Sequence, residues 1–160
     1  MNIGIKNVKP TLNSPYKQGY FKPMFPNKYI GSYPIIFRSS WERKFAIYCD
    51  THSNIVFWAS EMFAIKYYNI IDKKYHTYYP DFYIKVKTEN GYKEYIVEVK
   101  PSAQLSKPIE PKINNTKAWL NYKKAKISYI INICKSNALK EFARNRNYEV
   151  LYVTEKSSFI

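Results

Sequence analysis

Two alternating segments joined by a turn constrain this chain more than anything else in it. Tyr78-Tyr79-Pro80-Asp81-Phe82-Tyr83-Ile84 and Tyr92-Lys93-Glu94-Tyr95-Ile96-Val97-Glu98-Val99-Lys100 each follow the two-residue period of a β-strand. Asn90 and Gly91 supply the turn between them. Side chains two apart share a face, so Glu98 and Lys100 project together while Val97 and Val99 enter the opposite layer. On the first strand Phe82 and Ile84 are the core candidates. Asp81 is then left free to face Glu98 if the register allows it.

Two acids and one amine around one small volume suit a particular chemistry. Mg²⁺ takes oxygen ligands and keeps several waters, so one or two carboxylates and a substrate phosphate oxygen suffice to hold it. Asp81 and Glu98 are the candidate ligands for Mg²⁺, with Mn²⁺ as a substitute. Such an ion polarises a phosphoryl oxygen and acidifies water, and Lys100 can orient that water or neutralise developing charge. The pattern therefore fits metal-dependent cutting of a phosphodiester. Alone, Glu-x-Lys on an amphipathic strand also describes a solvated face with a weak ion pair. Asp81 at hairpin spacing adds weight, because the chain has 12 acids and only three are Asp.

Length and charge narrow the partners. A chain of 160 residues with 46% hydrophobic content builds one domain with a real core. A formal charge of +14 calls for a polyanion, nucleic acid foremost. Only four of the 26 basic residues are Arg (Arg38, Arg43, Arg144, Arg146), which favours phosphate tracking over base reading. An AT-rich genome would also raise the Lys count, though it would raise Glu as well. No segment has the length and apolarity of a membrane span and the first thirty residues lack an apolar leader, so a soluble, unexported protein with no membrane partner is expected. Cys49 and Cys134 lack metal-site spacing and read as reduced thiols.

Residues 1–34, with five Pro, read as an extended arm, and residues 35–160 as the domain. In the arm Lys9, Lys17, Lys22 and Lys28 alternate with Tyr16, Tyr20, Phe21, Phe25 and Tyr29, which suits tracking of phosphates and stacking on bases or equally pinning the arm to the domain. Ser39 to about Asp50 predicts a helix with Trp41, Phe45, Tyr48 and Cys49 on one stripe. Ser39 and Glu42 match a capping box, so Glu42 is either a cap or an acid reaching a site on the sheet. Ile55–Trp58 and Phe63–Ile71 read as strands, with Glu61 between them as a further candidate acid. A loop over 101–113 carries Gln104, Lys107 and Lys112. Helices are expected over about 115–126, with Lys117 and Lys124, and over 129–146, with Ile130, Ile133, Cys134, Asn137, Ala138 and Phe142 as its packed stripe. A last strand covers Tyr148–Thr154.

The order of arm, helix with Glu42, strands reaching Pro80-Asp81, strand with Glu98-Val99-Lys100, helices and strand resembles the PD-(D/E)xK, or restriction-endonuclease-like, fold. That implies an α/β architecture with a mixed central sheet flanked by helices. Within it the chain resembles the TnsA-like endonucleases, and more closely the head-completion nucleases of large contractile-tailed bacteriophages. The stretches carrying this are Pro26-Asn27-Lys28-Tyr29-Ile30-Gly31, Phe37 to Phe45, Trp58-Ala59-Ser60-Glu61, His76 to Phe82 and Glu98-Val99-Lys100-Pro101. The resemblance implies Glu42 as the helix-borne acid, Asp81 and Glu98 as metal ligands and Lys100 as the catalytic lysine. Gln104 falls where such families often carry a polar residue. DNA contacts are expected from Lys17, Lys22, Lys28, Arg38, Lys107, Lys112, Lys117 and Lys124.

The function so implied is Mg²⁺-dependent DNA endonuclease action in phage head completion, on packaged DNA or its ends before tail joining. Capsid or portal proteins are then the protein partners, and the host cytoplasm and virion head the places of action. One rival is a DNA-end-binding capsid protein that keeps the fold and protects the genome without cutting it. Another is a general repair or transposition nuclease. The full set of Asp81, Glu98 and Lys100 favours an enzyme, since a pure binder gains nothing from two acids where phosphate must approach.

Overall fold

A computed structural model describes residues 17–157. Lys9 and Tyr16 of the expected arm lie outside the described residues. From residue 17 onward, β1 (Gly19–Phe21) pairs antiparallel with β2 (Ile35–Phe37), and between them Tyr29 is buried in the main core. Helix α1 (Ser40–Thr51) follows, started by Ser39, whose Oγ accepts from the Glu42 N–H at 3.1 Å. Its buried residues are Phe45, Ala46, Cys49 and Asp50, while Trp41, expected on that stripe, is exposed.

Next come β3 (Ile55–Ser60), the hairpin β4 (Ile65–Asn69) and β5 (Lys74–Tyr78), and the pair β6 (Phe82–Thr88) and β7 (Gly91–Val99). Gly91 sits at φ 127°, a conformation that side chains disfavour, and so closes the expected turn. The alternating run Tyr78–Ile84 is not one strand. Pro80 has no N–H to give a ladder, and the chain breaks there: Tyr78 ends β5 opposite Ile65, whereas Phe82 starts β6 opposite Val97.

The central sheet has the order β3-β6-β7-β8, with β8 (Glu149–Val153) parallel to β7 and the other pairs antiparallel. It is a mixed sheet with helices on its two faces, as expected. One face packs Phe82, Ile84, Val97 and Trp58 with Phe45 and Cys49 of α1. The other packs Ile96 with Ile65 and with Leu139 and Ala143 of α2 (Thr116–Arg144). Because both faces are covered, Phe82, Tyr83 and Ile84 are all buried, although only alternate ones were expected to be.

The two expected helices over 115–146 are a single one of 29 residues. No Pro or Gly separates Lys126 from Tyr129, so nothing stops the backbone ladder. Asn115 caps its start through a bond from the Ala118 N–H at 3.1 Å, and Asn147, at φ 59°, turns the chain out at its end. The packed stripe is also rotated from the expected one: Leu139 and Ala143 are buried, the expected Ala138 and Phe142 pack beside them, and Ile133 and Asn137 are exposed. Among the described residues no helix is long and apolar enough to cross a membrane.

Candidate active site

The β6–β7 register carries the site. It sets Phe82 opposite Val97, and one step further Asp81 falls opposite Glu98, on the α2 side of the sheet with Ile96. Asp81 is held through both its backbone and its side chain. Its carbonyl accepts from the Glu61 N–H at 3.0 Å, and its Oδ2 accepts from the Val99 N–H at 2.7 Å. Glu61 stands at φ 46°, an uncommon conformation for Glu, in making that contact.

Glu98 is 6% exposed. Its Oε2 lies 3.3 Å from the Lys100 Nζ, while its Oε1 is buried with no hydrogen-bond partner among the described residues. Lys100 also donates from Nζ to the Asn132 Oδ1 of α2 at 3.4 Å, and its backbone N–H is tied to the Val153 carbonyl at 2.8 Å. Lys100 thus spans Glu98 and α2 from a strand end fixed by β8.

Burial is the largest influence on all three acids. It pushes Glu98 up against the opposing pull of Lys100. Asp81 is driven well above the carboxylate range by desolvation and then by the charges of Glu98 and Glu42. Glu42 is raised too, again chiefly by desolvation. Lys135 on α2 is lowered by burial and by Lys100, against the attraction of Glu98 and Asp81. The carboxylates are therefore short of positive charge, and a buried Glu98 oxygen is without a proton donor.

A hard divalent cation would remedy both defects. Asp81 and Glu98 offer the oxygen donors that Mg²⁺ or Mn²⁺ takes, with remaining positions for water and phosphate. Among the described residues no three His, Cys, Asp or Glu side chains form a metal cage. Two carboxylates suit an ion that keeps its waters.

Two clefts meet at Lys100 and Gln104. One, of about 300 Å³, is lined by Tyr78, Glu98, Asn132 and Lys135. The other, of about 650 Å³, is bordered by Lys17, Arg38, Trp41, Glu42 and Glu155. Asp81 lines neither. Glu42 serves the helix start with both oxygens: Oε2 accepts from the Arg38 N–H at 2.7 Å and Oε1 from the Ser39 hydroxyl at 3.0 Å. Its charge nevertheless acts on Asp81. Glutamine can keep the cap without the charge. Glu42→Gln is expected to hold stability within about 0.5 kcal/mol and to slow plasmid nicking by about tenfold or more, equal to about 1.4 kcal/mol of barrier. Cutting at the wild-type rate would leave Glu42 as a cap only.

The remaining candidates scatter. Glu61 is engaged by Arg38, Nε to Oε1 at 2.9 Å, which ties the residue that holds the Asp81 carbonyl to the rim of the larger cleft. The Lys28 Nζ donates to the carbonyls of Asp50 and His52 at 2.7 and 2.9 Å, at the C-terminus of α1. Lys17, Lys22, Lys107, Lys112, Lys117 and Lys124 are exposed. Asn132, Lys135 and Tyr78 enter the site unforeseen from sequence. The rotated stripe of α2 brings in the first two, and the break at Pro80 the third.

Residues 52–155 match the family model of the TnsA-like endonuclease N-terminal domain, and the chain belongs to that family. It is also 27% identical over 138 residues to the head completion nuclease of Enterobacteria phage T4, covering 86% of this chain and 90% of that protein. No solved structure matches it. The expected restriction-endonuclease-like α/β architecture is thereby supported both by family and by the mixed sheet.

Proposed function

We propose that this chain is a divalent-metal-dependent DNA endonuclease acting in phage head completion, on packaged DNA or its ends before the tail joins. The observation that carries the chemistry is the buried Oε1 of Glu98, which no described residue meets, next to Lys100 and opposite Asp81. The biological setting rests on the similarity to a head completion nuclease over most of both chains.

Asp81 and Glu98 would hold Mg²⁺, with Mn²⁺ able to replace it, and the ion would supply Lewis acidity toward a phosphoryl oxygen and an acidified water. The protein's own groups do the positioning. The Val99 N–H fixes one Asp81 oxygen, and Lys100 fixes one Glu98 oxygen, so each carboxylate has one oxygen spoken for by the protein. Lys100 also presents an ammonium to charge building on the phosphate. The substrate reaches them along α2. Lys117 and Lys135 are 18 residues, five turns, apart, with Lys124 on nearly the same line, making a stripe about 27 Å long that ends in the cleft. Lysines so spaced follow phosphates without reading bases. Capsid or portal proteins are the protein partners in this reading, within infected cytoplasm and at the virion head.

Complementation tests the function as a whole. Asp81→Asn protein, supplied to a phage lacking the gene, is expected to give DNA-filled heads without tails and few infectious particles. Full rescue would favour a capsid protein that binds DNA ends without cutting.

A further inference from the structure

The cleft between β7 and α2 holds a second ammonium beside the one that belongs to the strand motif. Lys135 is partly buried and lines the 300 Å³ cleft together with Glu98 and Lys100. Its Nζ stands 5.6 Å from the Tyr67 ring centre and 5.5 Å from that of Tyr78. The Tyr78 hydroxyl donates to the Lys135 carbonyl at 3.1 Å, which locks that ring against the same turn of helix. The Lys135 Nζ makes no hydrogen bond or ion pair with any described residue. Lys100 differs, since its Nζ is already committed to Glu98 and Asn132.

An ammonium carries three N–H donors. Aromatic faces attract its charge but do not replace oxygen acceptors, so its N–H donors stand open to the cleft for an oxygen to take. Two ammonium groups facing one cleft also repel each other unless an anion lies between them. The anion that a strand of DNA brings to this place is a phosphate. The stripe from Lys117 through Lys124 runs into the cleft at Lys135, so a backbone following α2 delivers its phosphate there.

We propose that Lys135 is a second catalytic lysine, whose ammonium contacts a non-bridging oxygen of the scissile phosphate. The proposal rests on the endonuclease reading and assigns that site a residue outside the strand motif. In hydrolysis a water oxygen bonds to phosphorus and gives a proton to solvent, the bond from phosphorus to one sugar oxygen breaks, and the departing oxygen keeps the electron pair and takes a proton from solvent. Lys135 keeps its own proton throughout. It holds the non-bridging oxygen while charge gathers there, and the tyrosine collar fixes its direction.

The test compares wild type, Lys135→Met, Lys135→Arg and Lys87→Met in supercoiled-plasmid nicking with Mg²⁺, each with a melting curve. Lys87 is exposed near the turn end of β6, beyond both clefts. Lys135→Met is expected to lose about 10²-fold in kcat, with Lys135→Arg recovering most of it, as for a donor aimed at transition-state charge. Its KM and melting temperature should hold, and Lys87→Met should cut normally. A kcat for Lys135→Met within about threefold of wild type, less than 1 kcal/mol of barrier, overturns the proposal. A second measurement needs no variant: acetylation of wild-type lysines with and without duplex DNA in Ca²⁺, read by mass spectrometry. Duplex should slow labelling at Lys135 severalfold and leave Lys87 unchanged, and equal labelling at Lys135 overturns the proposal. Wild type inert on every DNA would instead sink the endonuclease reading, and labelling would then show whether Lys135 touches phosphate at all.

Discussion

Asp81→Asn is expected to stop nicking and yet to make the metal-free protein more stable. The amide keeps an oxygen to accept the Val99 N–H bond, so the strand end holds its shape. What disappears is a partly buried negative charge facing those of Glu98 and Glu42. Relief of that kind at a functional site is worth about 0.5–2 kcal/mol. Activity moves the other way, by about 10³-fold, the upper end for one group acting on transition-state charge.

The pH dependence has a definite sign. Asp81, Glu98 and Glu42 are all raised in the fold, so the native protein holds protons that the unfolded chain has released. With more protons bound in the native state, stability falls as pH rises from the ordinary carboxylate range through the raised values. The gain from Asp81→Asn should therefore be full above that window and vanish below it. Mn²⁺ should raise the melting temperature of the wild type above the window and leave Asp81→Asn nearly unmoved. Melting curves against pH, with and without Mn²⁺, decide the matter. A variant less stable than wild type at every pH would mean that the Asp81 charge holds the fold together.

The sequence revealed the part of the site that is local in the chain. Alternation fixed which residues of Tyr92–Lys100 share a face, and Asn90-Gly91 fixed the turn, so the Asp81–Glu98 pairing followed once register was known. Alternation says nothing about which neighbour a strand pairs with. For that reason the break at Pro80, which sends Tyr78 to β4 and Asp81 toward β7, was not visible. On α2 the apolar positions Ile130 and Ile133 suggested the packed stripe of a second helix, but the buried side is set by where Ile65 and Ile96 meet the helix. Leu139 marks that side, and Lys135 precedes it by about one turn, hidden in a basic run that reads by default as a solvated face. Lys28 misled for a similar reason: its arm looked like a basic tract, and only the fold shows its ammonium on the carbonyls ending α1.

Asp50→Ala is expected to be the most damaging single change to stability away from the site. Asp50 is 2% exposed at the end of α1, and its carboxylate accepts from the backbone N–H of Met24 at 2.7 Å and of Phe25 at 3.2 Å. Alanine leaves both donors without a partner and removes the negative charge that faces Lys28. Losing one side of a buried charged arrangement costs about 3–5 kcal/mol, which for a chain of this size lowers the melting temperature by roughly 10 °C. Asn should lose less, because it keeps one acceptor. Lys28→Met removes the bonds to the Asp50 and His52 carbonyls and the ammonium that faces the Asp50 carboxylate, and should destabilise less than Asp50→Ala because that carboxylate keeps its Met24 and Phe25 donors. It should leave the salt dependence of DNA affinity unchanged, because an ammonium spent on a helix end neutralises no phosphate. Melting curves and DNA titrations over a range of salt measure both effects. A flatter salt slope in Lys28→Met at unchanged stability would return Lys28 to the DNA surface, and an Asp50→Ala protein as stable as wild type would show that residues 17–34 are held by Tyr29 and the β1–β2 pairing alone.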